Sequence, residues 1–171
     1  MKLKQINILS ALALFFVIAF TSCKKDDGAI PKRVGIEDVP TITSNIEAGS
    51  TTTITFTNQA AFQGKFKVSL YFPGTVAPAK VDIVVRKNAS AASVKVFKAN
   101  VTTLPASFTV TAAEIVALFG TAIALNDNYD FAPDIYVGTK KYEAFPLTGL
   151  GSGAGVVNMP GYGEYVRYSA K

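Results

Sequence analysis

The sequence contains no histidine and no tryptophan, and it has a single cysteine. Without histidine it lacks the commonest general base, the commonest zinc ligand and every Ser-His-Asp or Cys-His arrangement. No acid/base motif replaces them, so the sequence points away from an enzyme. The lack of tryptophan counts modestly against a broad stacking platform for sugars. One cysteine cannot close a disulfide within the chain, so core burial has to stabilise the fold, which a domain of this size can supply. Charge is sparse: 17 Lys and Arg stand against 12 Asp and Glu. The excess is small and scattered, which argues against nucleic acid as a partner.

Long apolar runs are equally scarce, and the one present lies at the start. Lys2 and Lys4 precede an unbroken apolar stretch from Ala11 to Phe20, followed by Thr21 and Ser22. A spanning helix needs roughly 20 predominantly apolar residues. This run is shorter, is preceded by Asn7 and Ser10, and ends in small residues, so residues 1–22 read as a secretory signal peptide.

Phe20-Thr21-Ser22-Cys23 resembles the lipobox of bacterial lipoproteins, with Phe20 where that motif usually carries leucine. The resemblance implies that the Cys23 thiol is lipidated and that the chain is cut just before it. An odd cysteine in an exported protein calls for such an explanation. One acyl chain binds a membrane only marginally, whereas two or three hold. Lys24-Lys25-Asp26-Asp27 follows at once, and it resembles the surface-export signal of Bacteroidetes lipoproteins. The implied location is the outer membrane, lipid-anchored and facing outward. The competing view of these four residues is a solvated spacer.

Residues 23–38 are charged and broken by glycine and proline, and they read as a lipidated flexible tether. Strand patterns dominate from 39 to 171. Residues 51–57 alternate Thr52, Ile54 and Phe56 against threonines. Residues 65–72 alternate Phe66, Val68, Leu70 and Phe72, and 80–86 alternate Val81, Ile83 and Val85. Period-two alternation signals half-buried strands. Further strands are expected at 94–99, 107–111, 121–125, 134–145 and 164–169, with a turn at 87–93 and a two-residue type II′ hairpin at Gly138-Thr139. Asn88-Ala89-Ser90 matches a glycosylation sequon but falls in that turn. One short helix is expected over 111–120: Thr111 and Glu114 form a capping box, Val110 and Ile115 a hydrophobic staple, and Gly120 the C-terminal stop. Residues 149–155 are glycine-rich and read as an unpacked loop. The expected fold is all-β, an immunoglobulin-like sandwich of roughly seven to nine strands with one short helix.

The ordered series "KVDIVVRKNAS", "TTLPASFTVT", "EIVALFG", "NDNYDFAPDIYVGTKKYEAF" is similar to lipoproteins that neighbour outer-membrane importers of the starch-utilisation type. The resemblance covers most of 65–168. It implies an accessory or glycan-binding subunit of a polysaccharide-uptake system, whose partners are the outer membrane, importer subunits and polysaccharide. The alternative is a structural or adhesion module of the cell envelope that binds protein.

Three groups of residues merit scrutiny. Asn126, Asp127, Asn128 and Asp130 offer oxygens of the kind calcium takes six to eight of. They lack the EF-hand glycine and distal glutamate, so an ordinary turn is the simpler expectation and no cofactor is assigned. Asp82 and Asp134 interrupt apolar strands. Asp82 is expected to be solvated, or like Asp134 to pair with a loop or with a cation such as Arg86 or Lys140. Tyr162 and Tyr165, in "MPGYGEY", form the candidate ligand loop, because glycine and proline hold two aromatics at a tip.

Overall fold

The computed structural model describes residues 39–171. The leader over 1–22, Cys23, the run Lys24 to Asp27 and the tether lie outside the described residues. The strands are β1 (Ile42–Ile46), β2 (Thr53–Ile54), β3 (Gln63–Leu70), β4 (Lys80–Lys87), β5 (Lys95–Val101), β6 (Ala106–Thr111), β7 (Asn128–Val137), β8 (Lys140–Tyr142) and β9 (Val166–Ala170). The helix α1 (Ala112–Phe119) stands between β6 and β7.

They form two sheets. One has the order β1-β3-β6, and the other β2-β9-β7-β4-β5, with β8 also paired to β7. β2 runs parallel to β9, while the other pairings are antiparallel. The first two strands are thus split between the sheets. In immunoglobulin lettering β1, β3 and β6 stand as A, B and E, and β2, β9, β7, β4 and β5 as A′, G, F, C and C′. That division defines an immunoglobulin-like β-sandwich.

The alternating strands meet face to face, as their period requires. Phe66 and Val68 of β3 and Val81, Ile83 and Val85 of β4 are all fully buried in one core. Phe66 lies 5.6 Å from Phe131 of β7, ring to ring, across the two sheets. β4 and β7 are covered on both sides. Val84 points away from the main core into a second, smaller cluster with Ala132, Ala144 and Phe145.

The helix carries the expected punctuation. Glu114 N–H donates to Thr111 Oγ1 (3.2 Å) and Thr111 N–H donates back to the Glu114 carboxylate (3.0 Å). Val110 and Ile115 are both buried, and Gly120 ends the helix at φ 67°, where a side chain would be strained. Gly138, at φ 59°, turns β7 into β8 with Val137 facing Lys140, as expected for a two-residue hairpin.

Five expectations need correction. The strand anticipated over 51–57 shrinks to Thr53–Ile54, and a 3-10 turn follows over Phe56–Ala61. Phe56 N–H bonds to Lys171 O at the very end of the chain, and Phe56 is left exposed. Residues 121–125 form no strand, although they remain bonded: Ala124 N–H donates to Asp127 and Gln59 donates to Ile123 O. β3 ends at Leu70 and leaves Phe72 exposed, while the last strand begins at Val166 rather than Glu164. The glycine-rich loop is packed. A Cβ on Gly151 would stand 2.2 Å from Ala144 O, and one on Gly153 would stand 2.3 Å from the Tyr162 hydroxyl.

Candidate functional site

The 158–165 loop brings its tyrosines inward. Tyr71 at the end of β3 donates its hydroxyl to Pro160 O (2.6 Å) and meets the Tyr162 ring edge-on at 5.6 Å. Gly163 N–H donates to Thr43 Oγ1 (2.8 Å), and Ser44 N–H donates to Gly163 O (2.7 Å), which fastens the loop to the edge of β1. Burial first, and the charge of Glu164 second, push the Tyr162 hydroxyl up to about 12. Tyr165 lies against Phe145, with the guanidinium groups of Arg86 and Arg167 each 5.3 Å from its ring centre. Both tyrosines are half-buried packing groups, not the two free aromatics at a tip that the sequence suggested.

The outer face of β4 and β7 holds the charge. In the antiparallel register Asp82 lies opposite Asp134 and Arg86 opposite Asp130. Alternation places all four on the side away from the main core. Asp130 is fully buried and accepts from Arg86 Nε (2.9 Å) and Arg167 Nε (2.6 Å). Asp82, expected either to be solvated or to find a partner, is 8% exposed and has found partners. It accepts from Asn100 N–H (2.7 Å) and the Tyr136 hydroxyl (2.8 Å), so its cost of burial is met by hydrogen bonds. That bond to Asp82 leads the causes that raise the Tyr136 hydroxyl above its ordinary range.

Asp134 is 2% exposed and accepts from Ala144 N–H (2.8 Å) and the Lys141 ammonium (2.9 Å). Its cation is therefore Lys141 rather than Lys140, and the partner of Arg86 is Asp130. Burial pushes the Asp134 carboxyl up, against the pull of Ala144 and Lys141. Burial alone would lower Lys141, but hydrogen bonds and charge from Asp134 and Glu143 outweigh it and raise the ammonium. Lys141 also reaches Glu143 at 3.2 Å. Neither Lys141 nor Glu143 was singled out from the sequence. Lys141 lies in β8 and Glu143 just past its end, two residues on, the spacing that puts side chains on one face of an extended segment.

The four oxygen-bearing residues of the 126–130 turn do not converge on one point. Asp127 is engaged by Lys87 (2.7 Å), Asn88 (2.9 Å), Ala124 N–H (2.8 Å) and the Tyr129 hydroxyl (3.1 Å). Asn128 accepts from Ser169, Asn126 O accepts from Asn128, and Asp130 belongs to the arginines. Among the described residues no group of three or more His, Cys, Asp or Glu side chains is placed to hold a metal ion.

Two cavities are relevant. The larger, about 460 Å³, is lined by Val39, Phe72, Val76, Pro78 and Val137 among others and contains no titratable side chain. The smaller, about 260 Å³, opens on the outer face beside Asp134, Lys141 and Glu143, with Val96, Phe145 and Leu147 as apolar wall. Of these two, the second brings buried charge and fixed donors to a concave surface, so it is the stronger candidate for recognition.

Fold and site together define an immunoglobulin-like β-sandwich with a charged cleft on its outer sheet. Compared with known proteins, the chain matches no family model, no curated protein and no solved structure.

Proposed function

We propose that this chain is a non-catalytic, lipid-anchored protein of the outer bacterial surface, serving a polysaccharide-uptake system as an accessory or glycan-binding subunit. The observation that carries the proposal is Cys23, set between an apolar leader and Lys24-Lys25-Asp26-Asp27. Its position accounts for the lone thiol and gives those four charges a role they would lack in mid-chain. Acyl chains on that sulfur hold the protein at the membrane, and residues 24–38 separate the sandwich from it.

The glycan side of the proposal is supported by the mixed cleft on the outer sheet, where charged hydrogen-bonding groups face an apolar wall. The buried carboxylates of this sheet are tied into ion pairs and hydrogen bonds from backbone N–H groups that hold their geometry.

Metabolic labelling with radioactive palmitate tests the anchor. The wild-type protein is expected to take up label and Cys23→Ser to lose it, with protease treatment of intact cells removing the wild-type domain. An unlabelled protein in the medium with residues 1–22 still attached would overturn the proposal. Binding to immobilised polysaccharides then tests the glycan role. Co-purification with an importer subunit in the absence of any glycan binding would favour a scaffolding role instead.

A further inference from the structure

We infer that the cleft between β4, β5 and β8 is a subsite for one neutral sugar ring, held by Lys95, Lys141 and Glu143 against Leu147. The inference rests on the glycan reading above and gives it a location and a ligand class.

Size sets the first limit. About 260 Å³ falls below the 300–1,000 Å³ typical of pockets for drug-sized ligands, which suits this cleft to one ring.

Hydrogen-bonding capacity sets the second. Lys141 has three N–H donors and uses two of them, on Asp134 (2.9 Å) and Glu143 (3.2 Å). One oxygen of Glu143 and the whole Lys95 ammonium have no partner among the described residues. Donor and acceptor thus stand side by side at the rim. Each hydroxyl of a sugar both donates and accepts, and neighbouring hydroxyls match such an alternation. Asp134, locked by Ala144 N–H, fixes Lys141 from behind, so this ammonium is preorganised.

Charge sets the third. Two ammonium groups and two carboxylates line the cleft, so its charge is balanced. A balanced lining gives a charged ligand no net attraction, whereas a neutral polyol needs none. The apolar wall completes the fit. Leu147 is 76% exposed and Val96 50% exposed. They offer an aliphatic surface to the C–H face of a ring, in a protein that has no tryptophan to do so.

The test uses the full-length protein in detergent, run through gels containing dextran, starch, xylan, galactomannan or anionic polygalacturonate. Wild type is expected to be retarded by at least one neutral polysaccharide. Lys95→Ala and Glu143→Ala are each expected to weaken that retardation about tenfold, since each removes a charge-assisted hydrogen bond. Leu147→Ser should weaken it too, and Val76→Ser in the larger apolar cavity should not. All four side chains are exposed, so melting temperatures should stay level and separate lost binding from lost folding. Undiminished retardation of the Lys95→Ala/Glu143→Ala double variant would overturn the cleft while leaving the glycan reading in place. Stronger retardation by polygalacturonate would overturn the neutral ligand. Passage of wild type through every gel unretarded would remove the glycan reading itself, and the subsite with it.

Discussion

Asp130 and Arg167 form a bidentate pair across β7 and β9: Nε reaches Oδ1 at 2.6 Å, and a terminal guanidinium nitrogen reaches Oδ2 at 3.0 Å. Asp130 is fully buried, and Arg86 adds a third bond. Removing one partner of such a group leaves uncompensated charge. Asp130→Asn is expected to destabilise the protein by about 3–5 kcal/mol, measured by urea unfolding. A loss under about 1 kcal/mol would show that the arginines find solvent without penalty.

Gly64 meets the ring of Tyr168 from the opposite sheet. A Cβ there would lie 2.5 Å from a ring carbon, and Tyr168 has no exposed surface into which it could retreat. Phe62 and Phe131 hold that ring at 5.3 and 5.7 Å. Gly64→Ala should therefore cost about 1–3 kcal/mol by overpacking, seen as a lowered midpoint of thermal unfolding. The Gly155→Ala change, where a Cβ meets nothing, is the control.

Acid should weaken the fold through Asp127. Burial would raise this carboxyl, but Lys87, Ala124 N–H and Asn88 outweigh it and hold it at about 2. A depressed carboxyl contributes stability that is present above its ordinary value of 3.8 and is lost as pH falls towards 2. Unfolding free energies should decline over that window in the wild type. The decline should be shallower in Asp127→Asn, which starts from a less stable state.

Alkali should weaken it through the tyrosines. Burial is the leading cause that raises Tyr129, Tyr162 and Tyr168, the middle one to about 12. A hydroxyl raised in the folded state stabilises fully below its unfolded value of 10, and that contribution fades as pH climbs above 10. Melting temperature should hold from pH 7 to 10 and fall from 10 to 12. The fall should be smaller in Tyr162→Phe. Equal falls in both would remove Tyr162 from the effect.

Much of the sandwich was legible in short-range pattern. Phe66 and Val68, or Val81, Ile83 and Val85, alternate with polar neighbours because a strand has two faces and only one meets the main core. Thr111, Glu114 and Gly120 mark their helix because capping is satisfied within a few residues. The site was less legible. Tyr162 and Tyr165 look like exposed aromatics until Tyr71, Phe145 and two arginines close around them. Asp82 looks solvated until Asn100 and Tyr136 arrive from other segments. Burial of one strand face depends on what crosses it, and local periodicity carries no record of that.

By itself the sequence determined the alternation of the strands, the bounds of the helix and the hairpin at Gly138, since each follows from bonds and steric limits within a few residues. Tertiary structure decided which carboxylate meets which cation, why β4 is buried on both faces, and where Lys141 and Glu143 meet the apolar wall of the outer sheet. Those outcomes depend on register and on loops that return from far along the chain, and a hydrogen bond acts only at the distance the whole fold sets.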